Sequence, residues 1–177
     1  MRRAHRPGGR PSGRVRAEFG VADAEAGRRK AEACVPCHGP QGNSIRPDVP
    51  SLAGQPPLYT YFQLIQFRDG RRSDPQMSPL VAKLSDTDMR DLAAYDAVEA
   101  PARAGRAPPL AGQKHIPRLA GQQEHYLVKQ LRGFKAQTSA DLDGTMTMAA
   151  QPLTEQEIET LAHYLAHLSV ALGPPRP

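Results

Sequence analysis

Both cysteines of the chain fall in one five-residue string, Cys34-Val35-Pro36-Cys37-His38. Two thiols three residues apart at a helix end lie on one face, where both can form thioethers with the vinyl groups of one porphyrin. The adjacent histidine is then placed under the ring, able to ligate iron through its imidazole. Three other readings compete. A thioredoxin-like Cys-x-x-Cys needs a βαβ setting, and no convincing strand is visible. A zinc site needs four ligands; His115 and His125 are available, but their spacing is irregular. The string could also stand by chance on an ordinary helix.

Composition narrows the setting. Apolar residues make up 39% of the 177, and tryptophan is absent, so the side-chain core is modest and something else has room to fill it. No stretch approaches the ~20 apolar residues that span a membrane. The chain carries 23 Lys plus Arg against 18 Asp plus Glu, a formal charge of +5. Such a charge would suit an anionic partner such as nucleic acid. Its distribution argues otherwise, because six of the arginines lie in residues 1–20 beside a single acid, Glu18. The remainder is balanced, so no nucleic-acid partner is expected. Residues 1–20 read as a disordered or non-native Arg-rich tail.

Past the tail, helical periodicity runs from about Ala22 to Cys34. A loop rich in Gly, Pro and Asn follows, from Gly39 to Gln55. Pro57–Phe67 reads as an aromatic and aliphatic helix with proline in its first turn. A polar turn spans Asp69–Pro79, and Ser85 with Asp88 opens a helix reaching Val98. Residues 101–116 form a linker rich in Pro, Ala and Gly.

The sequence then repeats itself. Pro50-Ser51-Leu52-Ala53-Gly54-Gln55 recurs as Pro117-Arg118-Leu119-Ala120-Gly121-Gln122, and Gln63-Leu64 with Phe67 recurs as Gln130-Leu131 with Phe134, at an offset of 67. Beyond a two-residue insertion, Met77, Leu84 and Tyr95 match Met146, Leu153 and Tyr164 at an offset of 69. Thr154 with Glu157 repeats the helix cap. This is an internal duplication, and an incomplete one: only about 18 residues separate the end of the first unit's last helix, near residue 99, from Pro117, where the first copy has a helix, the cysteine string and a loop.

The first half holds further candidate ligands. Thioether sulfur is a soft ligand that raises the reduction potential of haem iron when it stands opposite histidine. Met77 lies in a polar loop with little reason to be core filler, whereas Met89 sits on a helix where burial is the simpler role. A histidine ligand usually donates its second ring N–H to a carbonyl. The Pro50 carbonyl would serve, though Pro50 could equally just shape its loop. Tyr59, Tyr61, Phe62, Leu64, Phe67, Leu80 and Leu92 read as packing against a large apolar ring. Arg68, Arg71 and Arg72 either neutralise haem propionates or form a solvated charged turn.

The run Ala33–Ser44, the Pro50–Gln55 string, the Phe67-Arg68-Asp69-Gly70-Arg71 turn and Leu84-Ser85-Asp86 together resemble bacterial class I cytochromes c. The resemblance is closest to the two-domain, two-haem cytochrome c4 type, over residues 20–170. It implies an all-α fold around covalent haem c, with Cys34 and Cys37 as anchors and His38 as proximal ligand. It further implies Met77 as distal ligand and the Pro50 carbonyl as support for His38. The implied role is a periplasmic electron carrier, not an enzyme, moving electrons from a quinol-oxidising complex to a terminal oxidase or reductase, with peripheral membrane association allowed.

The second half departs from the pattern because it has no Cys-x-x-Cys-His. The expectation is therefore one haem in residues 21–100, followed by a degenerate half at 117–172 lacking the motif. Residues of that half such as Leu119, Tyr126, Leu127, Leu161 and Tyr164 must then collapse, pack on the first half or meet a partner. Residues 1–20 show no apolar export core, which makes the start site suspect. Two other functions stay open: an open iron site acting as peroxidase or gas sensor, and a non-redox remnant that never loads haem.

Overall fold

The computed structural model describes residues 14–17, 20–102, 110 and 112–168. Two short strands, β1 (Arg14–Ala17) and β2 (Gly20–Asp23), pair antiparallel with Arg14 opposite Asp23. The other regular elements among the described residues are helices, joined by loops. Structure thus begins earlier than residue 21, because the alternating Arg-Val-Arg-Ala run suits a strand. Residues 1–13 and 18–19 of the expected tail, and half of the expected linker (103–109 and 111), lie outside the described residues.

Helix α1 (Ala24–Ala31) starts where the Asp23 carboxylate accepts from the amides of Glu25 and Ala26, at 2.9 and 3.0 Å. That side-chain cap fixes the helix start two residues later than periodicity suggests. A short helix α2 (Val35–His38) follows, then α3 (Pro57–Arg68), α4 (Met77–Val81) and α5 (Asp86–Val98). The last of these begins with the reciprocal Ser85–Asp88 capping box expected from the sequence.

Helices α1 and α5 cross closely. A Cβ on Gly27 would stand 2.0 Å from the Asp91 carbonyl oxygen and 2.9 Å from Tyr95 Cβ, so the crossing requires glycine there. Lys30 Nζ bridges Asp88 at 2.7 Å and Asp91 at 2.6 Å beside the contact. Ala31, Leu64, Phe67, Val81, Met89, Leu92 and Tyr95 form the core between α1, α3, α4 and α5.

The second half repeats the last three of these elements as α6 (Glu124–Lys135), α7 (Thr145–Ala150) and α8 (Glu155–His167). The repeat extends to single hydrogen bonds. Gly54 N donates to Asp96 O at 2.8 Å, and the matching Gly121 N donates to Leu165 O at 2.9 Å. Thr154 and Glu157 reproduce the capping box at the start of α8. No described element of the second half corresponds to α1 or α2. Consequently Met89 and its counterpart Ile158 are both fully buried, but Tyr95 is 7% exposed and its counterpart Tyr164 is 56% exposed. The second core shrinks to Leu127, Ala162 and Ala166, with Leu119, Val128 and Leu165 around them.

The two halves are joined through the repeated string itself. Gln55 Nε2 donates to Arg118 O at 3.0 Å while Gln55 Oε1 accepts from Arg118 N at 2.8 Å. Gln122 does the same to Ser51, at 2.9 and 2.7 Å. Gln55 and Gln122 are repeat equivalents, as are Ser51 and Arg118, so the joint is a two-fold exchange of side-chain amides. Of the side chains expected to collapse or to pack on the first half, Leu127 is buried and Tyr126 reaches Arg72, whereas Leu161 and Tyr164 stay exposed.

Candidate functional site

The cysteine string lies at the turn from α1 into α2. Cys34 N bonds Ala31 O at 2.8 Å, and His38 N bonds Cys34 O at 2.9 Å. Gly39 ends the helix at φ +75°, and a Cβ there would stand 2.1 Å from the Asn43 carbonyl. The chain then folds back: the Gly42 carbonyl accepts from Leu52 N at 2.7 Å and Ala53 N at 3.1 Å. That clasp carries Pro50 next to the string, and His38 Nδ1 lies 2.9 Å from Pro50 O.

A carbonyl oxygen only accepts, so Nδ1 carries the proton and Nε2 is left with its lone pair. Burial lowers the His38 pKa, with the charges of Arg46 and Arg72 adding to the effect against the opposing Pro50 bond. The ring is therefore held neutral, with one nitrogen prepared to ligate. Arg72 and Asp74, whose charges act on this ring, belong to the turn leading into α4, which brings that turn within electrostatic reach of His38.

Both thiols are unpaired and half-buried. Burial, then the nearby Asp96 carboxyl and the Cys37 sulfur, push the Cys34 thiol up to about 11. A protonated thiol is a poor metal ligand and a poor redox nucleophile. Among the described residues, no cluster of three potential metal ligands includes either cysteine. The βαβ setting of a thioredoxin-like site is likewise absent among them, where the strands form a single antiparallel pair.

Met77 opens α4 instead of lying in the preceding loop. The Asp74 carboxylate accepts from Gln76 N at 2.9 Å and Met77 N at 3.1 Å, a local turn that starts the short helix. The Met77 side chain is half-buried against the first core, as are Tyr61, Ile65 and Leu84. Met89 is wholly buried in that core. Leu80, expected to pack inward, is 49% exposed.

The three arginines part ways. Arg68 and Arg71 pair with Asp69 on the surface, at 3.4 and 2.9 Å. Arg72 turns inward, where its guanidinium stacks 4.5 Å above the Phe67 ring and donates to Gln63 and to the Tyr126 hydroxyl. Tyr126 comes from the second half, so both halves meet around this cation. Burial raises the nearby Tyr59 hydroxyl pKa, so that phenol stays protonated.

These features fit a covalent haem. Two unpaired sulfurs flank one helical turn, the histidine after them is buried with its tautomer fixed, and the Met77 thioether packs half-buried against the first core. A family model described as cytochrome c matches residues 24–95. A cytochrome c4 from Thiocapsa roseopersicina is 37% identical, over 84% of this chain and 94% of its own length. The chain belongs to the cytochrome c4 family. The crystal structure of reduced recombinant cytochrome c4 from Pseudomonas stutzeri superposes with a TM-score of 0.77 at 28% identity, covering 83% of this chain and 99% of that one. A thiosulfate dehydrogenase electron acceptor from Stutzerimonas stutzeri is 31% identical, over 78% of this chain and 80% of its own.

The chain is therefore an electron-transfer c-type cytochrome of the class I fold, in a family defined by covalent haem c. Redox proteins are its class of partner. Sequence reasoning missed the inward Arg72–Tyr126 contact and the amide exchange between halves, both of which depend on residues more than 50 positions apart.

Proposed function

We propose that this cytochrome carries one haem, linked through Cys34 and Cys37 and ligated by His38 and Met77. Its setting would be the periplasm, where it relays electrons from a quinol-oxidising complex to an oxidase or reductase. The single observation carrying the proposal is the buried His38 ring, whose Nδ1 is committed to the Pro50 carbonyl directly behind the only Cys-x-x-Cys-His string. The haem supplies a one-electron couple. Pro50 holds the imidazole at a fixed tilt, burial keeps it neutral, and the Asp74 turn presents the Met77 thioether. Arg72, inward and bonded to neutral groups, is the residue we assign to a propionate. The half-exposed thiols mark the edge nearest solvent, suited to the brief contacts of redox encounters.

We further propose residues 21–100 as the haem-bearing unit and 117–172 as a haem-free copy joined by a linker at 101–116. The absence of a second string supports it. So does the alignment with the Thiocapsa relative, which is 183 positions long although only 84% of this 177-residue chain enters it. The relative has residues that this chain lacks.

The test is expression with haem-attachment machinery, followed by a haem-stained denaturing gel and a pyridine haemochrome assay. One covalent haem per chain is expected, with a ferrous form slow to bind carbon monoxide. Met77→Ala is expected to lower the reduction potential and admit carbon monoxide at once. Two haems per chain, an unstained band, or fast carbon monoxide binding by the unaltered chain would each overturn part of the reading.

A further inference from the structure

The last described helix carries a histidine pair that haem chemistry does not use. His163 and His167 stand one turn apart on α8, with ring centroids 4.2 Å apart. Glu124, at the start of α6, reaches the same place: its Oε2 lies 3.2 Å from His163 Nδ1 and 3.8 Å from His167 Nδ1. One donor atom from each of the three residues falls within 4.8 Å of the others. His167 Nδ1 also lies 2.9 Å from the His163 carbonyl, a bond that fixes its proton there and leaves Nε2 free.

We propose that Glu124, His163 and His167 form a surface site for a divalent transition-metal ion of the zinc, copper and nickel class. Two imidazoles and one carboxylate are the donor set these ions favour, while calcium and magnesium prefer all-oxygen cages. Tetrahedral zinc with ligands about 2.0–2.1 Å away needs donor atoms about 3.4 Å apart. Small rotamer adjustments of exposed side chains close that gap. Three protein ligands leave the fourth position to water.

The site is peculiar to the second half. Its three residues correspond to Pro57, Ala94 and Val98 in the first half, none of which can ligate. Ala94 is buried, beside the stretch of α5 where α1 crosses at Gly27. With no described counterpart of α1 over α8, this strip of helix is open, and the histidines occupy it. Both imidazoles are more than half exposed and accessible to an ion from solution.

The experiment is equilibrium dialysis of the tag-free chain against zinc chloride, with metal measured by atomic emission. Two forms are used: the haem-loaded chain, and a Cys34→Ser/Cys37→Ser chain in which unalkylated thiols cannot compete. The second form reads the metal site even if haem never attaches, so failure of the haem reading and failure of this one are separable. One zinc per chain is expected in both forms. Binding should weaken by at least about tenfold in His163→Ala and in His167→Ala, and stay unchanged in His125→Ala. Copper should displace zinc, and calcium should not. Far-ultraviolet circular dichroism confirms that each variant is folded. Binding only at millimolar zinc, or binding equal in the chain and both histidine variants, would mean an adventitious ion only and would overturn the site.

Discussion

Asp96 shows how a single buried side chain sets a pH response. It is 4% exposed, and burial, with Glu99 adding its charge, raises its pKa to about 8. A free aspartate titrates near ~3.9. Between those values the folded chain holds a proton that the unfolded chain has released. Stability therefore falls as pH rises from about 4 toward 8, and the loss is complete above the folded value. Asp96→Asn removes the ionisation while keeping the shape. At pH 7 the variant should be more stable than the parent by about 4 kcal/mol, and the two should converge near pH 4. Urea midpoints at pH 4, 5.5 and 7 measure this, and a difference that does not grow with pH would count against it. The carboxyl also bears on Cys34, whose thiol it helps to keep protonated. Nothing in the sequence announced this group, because an aspartate in an amphipathic helix reads as surface. By contrast, Cys34, Cys37 and His38 are candidates that one short string in the sequence offers, with Met77 suggested by its polar loop and Pro50 by its place in the loop after His38. The structure adds the 2.9 Å contact between His38 Nδ1 and the Pro50 carbonyl.

Elements were legible where their signals are local. Both capping boxes stand where Ser85 and Thr154 precede acids three residues on, and the repeat already aligns residues of α3 with those of α6 and residues of α5 with those of α8. The β1–β2 pair and the start of α4 at Met77 were not legible. The first needs a partner strand, and the second hangs on one Asp74 carboxylate. Gly27 was also overlooked, although glycine inside a helix often marks close packing. Its role is testable against a second helical glycine. A Cβ on Gly27 meets the Asp91 backbone carbonyl at 2.0 Å, whereas one on Gly133 in α6 meets only the movable hydroxyl of Ser139 at that distance. Gly27→Ala must push α1 off α5, and overpacking of this kind costs about 3 kcal/mol. Gly133→Ala gains helix propensity and needs a rotamer change plus a small shift of Ser139, whose Cβ would stand 3.1 Å away, so it should lie within about 1 kcal/mol of the parent. Thermal midpoints that rank the two variants equally would show that the α1–α5 crossing is looser than described.

At the scale of the molecule, the question is what holds a half with a small core against its larger neighbour. The exchanged amides of Gln55 and Gln122 are the strongest answer, because both glutamines are buried and each satisfies two backbone groups of the other half. Tyr126 N donating to Pro47 O at 3.1 Å and the Arg72 contact to the Tyr126 hydroxyl close the same seam nearer the haem string. The repeated Ala-Gly-Gln is visible in the sequence, but a repeat says only that two copies exist, not that they face each other. Truncating either glutamine leaves an N–H and a C=O in the seam without partners, at a cost of about 2 kcal/mol for the buried Arg118 groups and less for the partly buried Ser51 groups. The two-fold relation gives this prediction its shape. In Gln122→Ala the Ser51 amide should lose protection from hydrogen exchange while the Arg118 amide keeps most of its own; in Gln55→Ala the pattern should invert. The double variant should free both amides at a cost below the sum of the singles, because one half that is already loosened has less left to lose. Equal exchange at Ser51 and Arg118 in all three variants would mean that the halves are held elsewhere, with the amide pairs as bystanders.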